Sequence, residues 1–229
     1  MLGKKKQVAR NALGAALVFI FAAVPSAFAA DEKGWYLGVS AGQTKADVDE
    51  AAFNSIYVAG GFTSASTSSD EKDTGWKVFG GYQLSKNWAV EGAYVDLGKA
   101  TTKTTATGPA GEYTGEGKTK GWSFSGVGTL PVSDSFAVFG KLGAFLWDVD
   151  SKCNKVSGAG SCAASTNNAS GTDLTYGIGV KYDFTKNVGL RVEWERFKNT
   201  GDKFNTTGTT GTGEADVDLL SLGIQFKFF

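Results

Sequence analysis

Residues 173–198 read DLTYGIGVKYDFTKNVGLRVEWERFK. Two alternating runs, 173–184 and 188–198, flank a three-residue turn, Thr185-Lys186-Asn187. In the first run Leu174, Tyr176, Ile178, Val180 and Tyr182 share one parity, against Thr175, Gly177, Gly179 and Lys181. In the second, Val188, Leu190, Val192 and Trp194 oppose Arg191, Glu193 and Glu195. Side chains alternate between the two faces of a strand, so this period describes a hairpin with one apolar and one small-or-charged face. A face carrying an arginine and two glutamates cannot line a dry, lipid-holding cup without partners. A soluble eight-stranded carrier such as a lipocalin puts its apolar face inside. The apolar face here is therefore the outer one, and the medium it meets is lipid.

The same pattern recurs along the chain. Eight segments of about ten residues alternate: 34–43, 74–84, 88–98, 120–130, 136–147, 173–184, 188–198 and 218–229. Segment 74–84 sets Trp76, Val78, Tyr82 and Leu84 against Lys77 and Gln83, and segment 120–130 sets Trp122, Phe124 and Leu130 against Ser123, Ser125 and Thr129. The last segment opposes Leu220, Leu222, Ile224, Phe226 and Phe228 to Ser221, Gly223, Gln225 and Lys227. Segment 136–147 departs, because Phe139, Phe145 and Trp147 share a parity with Lys141. Three short turns alternate with four long connections, 44–73, 99–119, 148–172 and 199–215, rich in Thr, Ser, Gly, Asp and Lys. Short turns at one end and long polar loops at the other are the layout of an outer-membrane barrel. The expected fold is all-β, an eight-stranded antiparallel up-and-down transmembrane β-barrel. A faint internal echo, YQLSKNWAVEG at 82–92 against YDFTKNVGLRVEW at 182–194, spans two of these hairpins.

The N-terminus supplies a route to that membrane. Lys4, Lys5, Lys6 and Arg10 precede the apolar run ALGAALVFIFAAV and the small-residue site ending at Ala29. This is the pattern of a cleaved signal peptide over residues 1–29, leaving a barrel domain over 30–229. The run is shorter than the ~20 residues a spanning helix needs. Removing the segment takes four of the 23 basic residues and none of the 23 acidic ones, so the mature chain has no basic excess and no nucleic-acid partner is expected. Thirty-two glycines, three prolines and 13% aromatics fit an all-β chain.

The blocks GWYLGVSAGQTK, WKVFGGYQLSKNWAVEGAYVDLGKA, FAVFGKLGAF, TYGIGVKYDFTKNVGLRVEWERF and DVDLLSLGIQFKFF together resemble the OmpA-like outer-membrane β-barrel family, over about residues 34–98 and 120–229. The resemblance implies a barrel with periplasmic turns and extracellular loops. It would stabilise the envelope, offer a surface for adhesion or recognition and, in some relatives, conduct small solutes weakly. It also implies contact with outer-membrane lipids and lipopolysaccharide, and reading of the terminal aromatics Phe226, Phe228 and Phe229 by the barrel-assembly machinery. Full-length relatives continue into a peptidoglycan-binding domain; no residues follow the eighth segment here, so tethering by that route is not expected.

With the parity assigned, Lys77, Glu91, Lys141, Lys181, Arg191, Glu193, Glu195 and Lys227 point into the barrel. Eight strands leave an interior just wide enough for side chains, and unpaired charge there costs several kcal/mol. A salt-bridged plug is the expectation, with a gate opening a narrow porin-like conduit as the alternative. Positions 91 and 191 fall in the echoing units and make Glu91–Arg191 a candidate pair. Cys153 and Cys162, the only cysteines, lie in one long connection, and in an exported chain they are expected to form a disulfide. The stretch AAFNSIYVAGGF (51–62) is too apolar for a free loop and reads as strand extension or a small cap; the alternative is an exposed contact patch carrying Ile56 and Val58. With no histidine, Ser-His catalysis and His-containing metal sites are excluded. Neither enzyme activity, a cofactor nor a metal is expected. The function so read is a structural barrel presenting four long loops to extracellular partners.

Overall fold

A computed structural model describes residues 33–158, 160–162, 167–205, 207 and 210–228. The leader expected over 1–29 and the terminal Phe229 lie outside these residues. The chain forms β1 (Gly34–Val48), α1 (Glu50–Ala59), β2 (Ser64–Asp70), β3 (Lys72–Ser85), β4 (Trp88–Thr107), β5 (Gly111–Pro131), β6 (Phe136–Gly158), β7 (Asn167–Asp183), β8 (Val188–Thr200) and β9 (Ala215–Phe228). Eight of the nine strands close a ring in the order β1-β3-β4-β5-β6-β7-β8-β9, each antiparallel to its neighbours. Closure is made by β9 on β1, from Trp35↔Phe228 to Val48↔Ala215.

The lipid-facing side is the one read from the period. Leu37, Val39, Val78, Val90, Phe124, Leu142, Ile178, Leu222 and Ile224 are all exposed on the outer wall. Aromatics band this surface at two levels. Trp76, Tyr94 and Trp122 form a row across β3, β4 and β5, with ring centroids 5.8 and 5.3 Å apart. Trp35 and Tyr82 meet at 5.0 Å near the turn end, where Trp88 is also exposed. Trp88 and Tyr94 are six residues apart on one strand, about 20 Å at the usual rise, close to the ~25 Å apolar band of such barrels. Segment 136–147 resolves simply: Phe139, Lys141, Phe145 and Trp147 all point inward, while Leu142 and Leu146 face lipid.

Two expectations need correction. Three of the four long connections, 44–73, 99–119 and 148–172, are largely strand or helix, whereas 201–214 holds neither among the described residues. Strands drawn at ten to twelve residues run to 23 in β6, and the connection 99–119 is almost entirely the β4–β5 hairpin, from Lys99↔Lys118 to Ala106↔Gly111. The stretch is polar, but its threonines are strong strand formers and its period is still two: Thr102, Thr104 and Ala106 are buried, while Lys103, Thr105 and Thr107 are exposed. Above the membrane both faces of a strand can be polar, so polarity alone is no sign of a loop. The inner face is also not uniformly small or polar. Beyond the membrane midplane it carries Val95, Leu97, Phe145, Trp147, Val149, Phe197, Val217 and Leu219, packed as one core.

Above the aromatic row the wall splits where β4 changes partner. β3 pairs with β4 as far as Trp76↔Asp96, and β2 takes over from Asp70↔Thr101 to Ser64↔Thr107. The break is held by Asp73, whose carboxylate accepts from the Lys99 amide at 2.8 Å. Gly98 sits in this bulge at φ +74°, and a Cβ there would lie 2.7 Å from the Asp73 carboxylate.

Residues 51–62 form neither a strand extension nor an open patch but a helical cap. Asp49 caps α1 by accepting from the Ala52 amide at 3.0 Å, and the Glu50 carboxylate accepts from the Ser69 amide and hydroxyl at 2.8 Å each, tying the helix to β2. Ile56 and Tyr57 are buried against Phe62, Ala106 and Tyr113 in a second core outside the membrane, with Cys153, Cys162 and Phe204 packed beside it. Ile56 is therefore no contact residue, whereas Val58 is 48% exposed. Phe53 meets Phe204 edge-on at 4.7 Å, so the connection after β8 clasps the helix from the other side. Cys153 and Cys162 are joined in a disulfide.

The cap has a core of its own, distinct from that of the barrel. Reducing the disulfide should cost the cap about 2–3 kcal/mol by the loop-entropy argument. Limited proteolysis near α1 should accelerate, while the barrel keeps its shifted mobility in unboiled gels. Burial, with Tyr113 beside it, pushes the Tyr57 phenol up to about 12, against a weaker opposite effect of its bond to Thr104. The unfolded phenol ionises near about pH 10, so this contribution is complete below that pH and is lost as pH rises towards the folded value. Proteolysis of the cap should therefore also quicken between about pH 10 and 12 in the oxidised protein.

Candidate functional site

The interior at the membrane midplane is a cluster of six charges. Lys77 from β3, Glu91 from β4, Lys141 from β6, and Arg191, Glu193 and Glu195 from β8 all lie on the inward parity, with side chains at most 5% exposed. Three cations face three carboxylates. Lys77 Nζ donates to Glu193 Oε2 and Glu195 Oε2, at 2.7 Å each. Lys141 Nζ stands 2.8 Å from Glu195 Oε1, 3.1 Å from Glu193 Oε1 and 3.3 Å from Glu91 Oε1. Arg191 takes Glu91 with two nitrogens, at 2.6 and 3.3 Å, and its Nε lies 3.1 Å from Glu193. Each carboxylate thus meets at least two cations, the arrangement needed to offset several kcal/mol of desolvation per buried ion.

Neutral groups complete the cluster. The Tyr36 hydroxyl donates to Glu91 Oε2 at 3.1 Å, and the Thr175 hydroxyl donates to Glu195 Oε1 at 3.2 Å. The Arg191 guanidinium lies between two rings, 4.2 Å from the Phe139 centroid and 4.8 Å from that of Phe79. These rings fit because the facing strands carry glycine: a Cβ at Gly179 would lie 2.4 Å from the Phe139 ring. Tyr36 and Phe79 were not among the residues singled out from sequence, and Phe139 was singled out only as sharing the parity of Lys141. For Phe79 and Phe139 a signal was available, since each shares the inward parity of a lysine on its own strand, Lys77 and Lys141, but an aromatic in an outer-membrane strand reads first as a lipid-facing one.

Not every inward charge joins. Lys227 bonds Asp183 at 2.6 Å towards the turn end of the barrel, and Lys181 lies half-buried beside them. Above the cluster Phe145 and Phe197 pack ring to ring at 4.6 Å, both fully buried, and begin the apolar layer. On the outer wall above the aromatic row, Lys118 pairs with Asp96 at 3.1 Å, and Arg196 grips Asp218 with two bonds of 2.7 Å. Lys198 pairs with Asp216 alongside. Phe226 and Phe228, from the expected assembly signal, are exposed on the lipid face of β9. Among the described residues no group of three or more Cys, Asp or Glu side chains is placed to hold a metal ion.

Known proteins share this architecture and sequence. The OmpA-like transmembrane domain matches residues 30–229. Outer membrane protein A of Shigella flexneri is 28% identical over 208 residues, 91% of this chain and 52% of that protein. The protein of the same name from Klebsiella pneumoniae is 25% identical over 211 residues, 92% of this chain and 54% of the other. The chain thus spans about half the length of the curated relatives it matches. Among solved structures, that of the outer membrane protein AlkL in lipid bilayers superposes with a TM-score of 0.51 at 18% identity, over 90% of this chain and 95% of that one. A closed eight-strand ring with a lipid-facing apolar wall, and a match across the whole barrel, make this chain an outer-membrane protein that belongs to the OmpA-like transmembrane domain family.

Proposed function

We propose that the protein is a sealed structural barrel whose extracellular cap is its surface of interaction. The observation that carries this reading is the interior cluster: six mutually paired charges, with Arg191 between Phe79 and Phe139 and with Phe145 and Phe197 above, converge across the lumen. An eight-stranded ring has little spare width, so solutes have no open axial path. Outward, the apolar wall and its aromatic rows suit lipid, and the lysines above Trp122 suit lipopolysaccharide head groups. The α1 cap, stapled by the disulfide and clasped by Phe204, is a rigid platform for extracellular partners rather than a set of mobile loops. The exposed Phe226 and Phe228, with the terminal Phe229, serve the assembly machinery. No step of this role calls for catalysis or a cofactor.

The alternative is a narrow conduit, opened when the cluster rearranges. What favours it is Lys141, shared by three carboxylates, which can trade one partner for another without losing all its pairs. Planar-bilayer recording separates the two. The refolded protein should show no steady conductance; a steady current that changes in Arg191→Ala would overturn the sealed reading. The cluster should also be a large stabilising unit only when intact. Lys77→Met leaves Glu193 and Glu195 short of a cation and should destabilise the barrel by about 3–5 kcal/mol in urea unfolding from lipid vesicles. Adding Glu193→Gln to Lys77→Met should recover part of that loss, because it removes the excess buried charge.

A further inference from the structure

The barrel holds a second interior feature, above the charged cluster and outside any role proposed for it. Beyond the Phe145–Phe197 layer lies a partly open chamber of about 80 Å³. Its apolar surface is Ala46, Leu97, Val149 and Val217, all members of the buried core, and α1 contributes Phe53. Thr102 and Thr119 add hydroxyls to the wall. Four charged side chains also line it, and each already faces an opposite charge: Lys99 with Glu116 at 3.1 Å, Glu71 with Lys45 at 3.9 Å and Glu214 with Lys203 at 3.7 Å. The site therefore makes no demand for an ionic ligand.

One residue of the wall leaves the chamber room that a side chain would take. Gly117 lies on the inward parity of β5, in ordinary extended backbone, and a Cβ built there meets no heavy atom within 4 Å. That sets it apart from inward glycines such as Gly179, whose missing side chain is replaced by a neighbouring ring. A glycine inside a strand weakens it. Neither backbone conformation nor packing calls for glycine at 117. The space left beside Gly117 suits a small ligand.

We propose that this chamber binds the apolar end of a small, uncharged amphiphile, such as a single-ring or short-chain alcohol, with its hydroxyl among the threonines. The scale fits: an apolar cavity of ~150 Å³ takes benzene whole, and a chamber half that size takes a short alkyl end or most of one ring. Phe145, Phe197 and the ion cluster close the floor, so the ligand is held there and leaves the way it came. Binding of this kind does not depend on whether the barrel conducts.

The test uses the full protein in lipid nanodiscs with 4-fluorobenzyl alcohol as probe, followed by fluorine NMR. Saturable binding above that of empty nanodiscs is expected for the wild type. Gly117→Leu, which fills the chamber, should bind at least tenfold more weakly while retaining the gel shift of a folded barrel. Equal saturable binding by the two proteins would overturn the proposal, as would wild-type binding no greater than that of empty nanodiscs. A readout that needs no variant is the set of contacts between probe ring protons and the methyl groups of Leu97, Val149 and Val217. Those contacts are expected in the wild type, and their absence would overturn the placement however the variant folds.

Discussion

No water reaches the peptide groups of a strand in the lipid core, so each N–H and C=O must find its partner within the protein. For strands that means a ring without an edge, and β9 on β1 supplies it with fourteen paired positions from Trp35↔Phe228 to Val48↔Ala215. Everything else about the molecule follows from that closure. The outer face has to be apolar, the inner face receives whatever the period leaves over, and the ring size decides how much room the inner face has. Eight strands leave very little.

Scarcity of room explains the interior cluster. Long charged side chains from β3, β4, β6 and β8 converge on one level, while β5 and β9 present serine and glycine there. With three cations against three carboxylates the cluster is neutral, and sharing lets every charge keep more than one partner. The arrangement is costly to enter and costlier to break, as expected of buried ion pairs. Beyond it the inner face turns apolar, which lets the barrel continue above the membrane with a core like that of a soluble protein.

That second half changes what the long-strand end of the barrel presents. The strands do not stop at the aromatic row; β4, β5 and β6 carry on as a wall, β2 joins it, and α1 packs on its inner side through Ile56 and Tyr57. The disulfide and Phe204 fasten the same core from two further connections. A platform built this way presents fixed geometry, and it also shelters the chamber beneath Phe53.

Much of this was legible in the residues. Period two in 173–198 identified strands, the placement of Arg191, Glu193 and Glu195 identified the inward face, and exported cysteines nine positions apart announced their bridge. Strand ends were misread where threonine-rich stretches kept the period but lost the apolar face, because the pattern was judged on polarity that only lipid demands. Tyr36 and Phe79 went unnoticed, and Phe139 stood out only for sharing a parity with Lys141, because aromatic side chains serve both faces of such a barrel. By itself the sequence determined which side of each strand a residue occupies, since alternation is a local property of extended backbone. Only the tertiary structure decided which residues meet. Register around the ring placed Lys77 of β3 against Glu193 of β8, joined Glu91 to Arg191 and left Lys181 and Lys227 apart, and no local period encodes distance across a lumen.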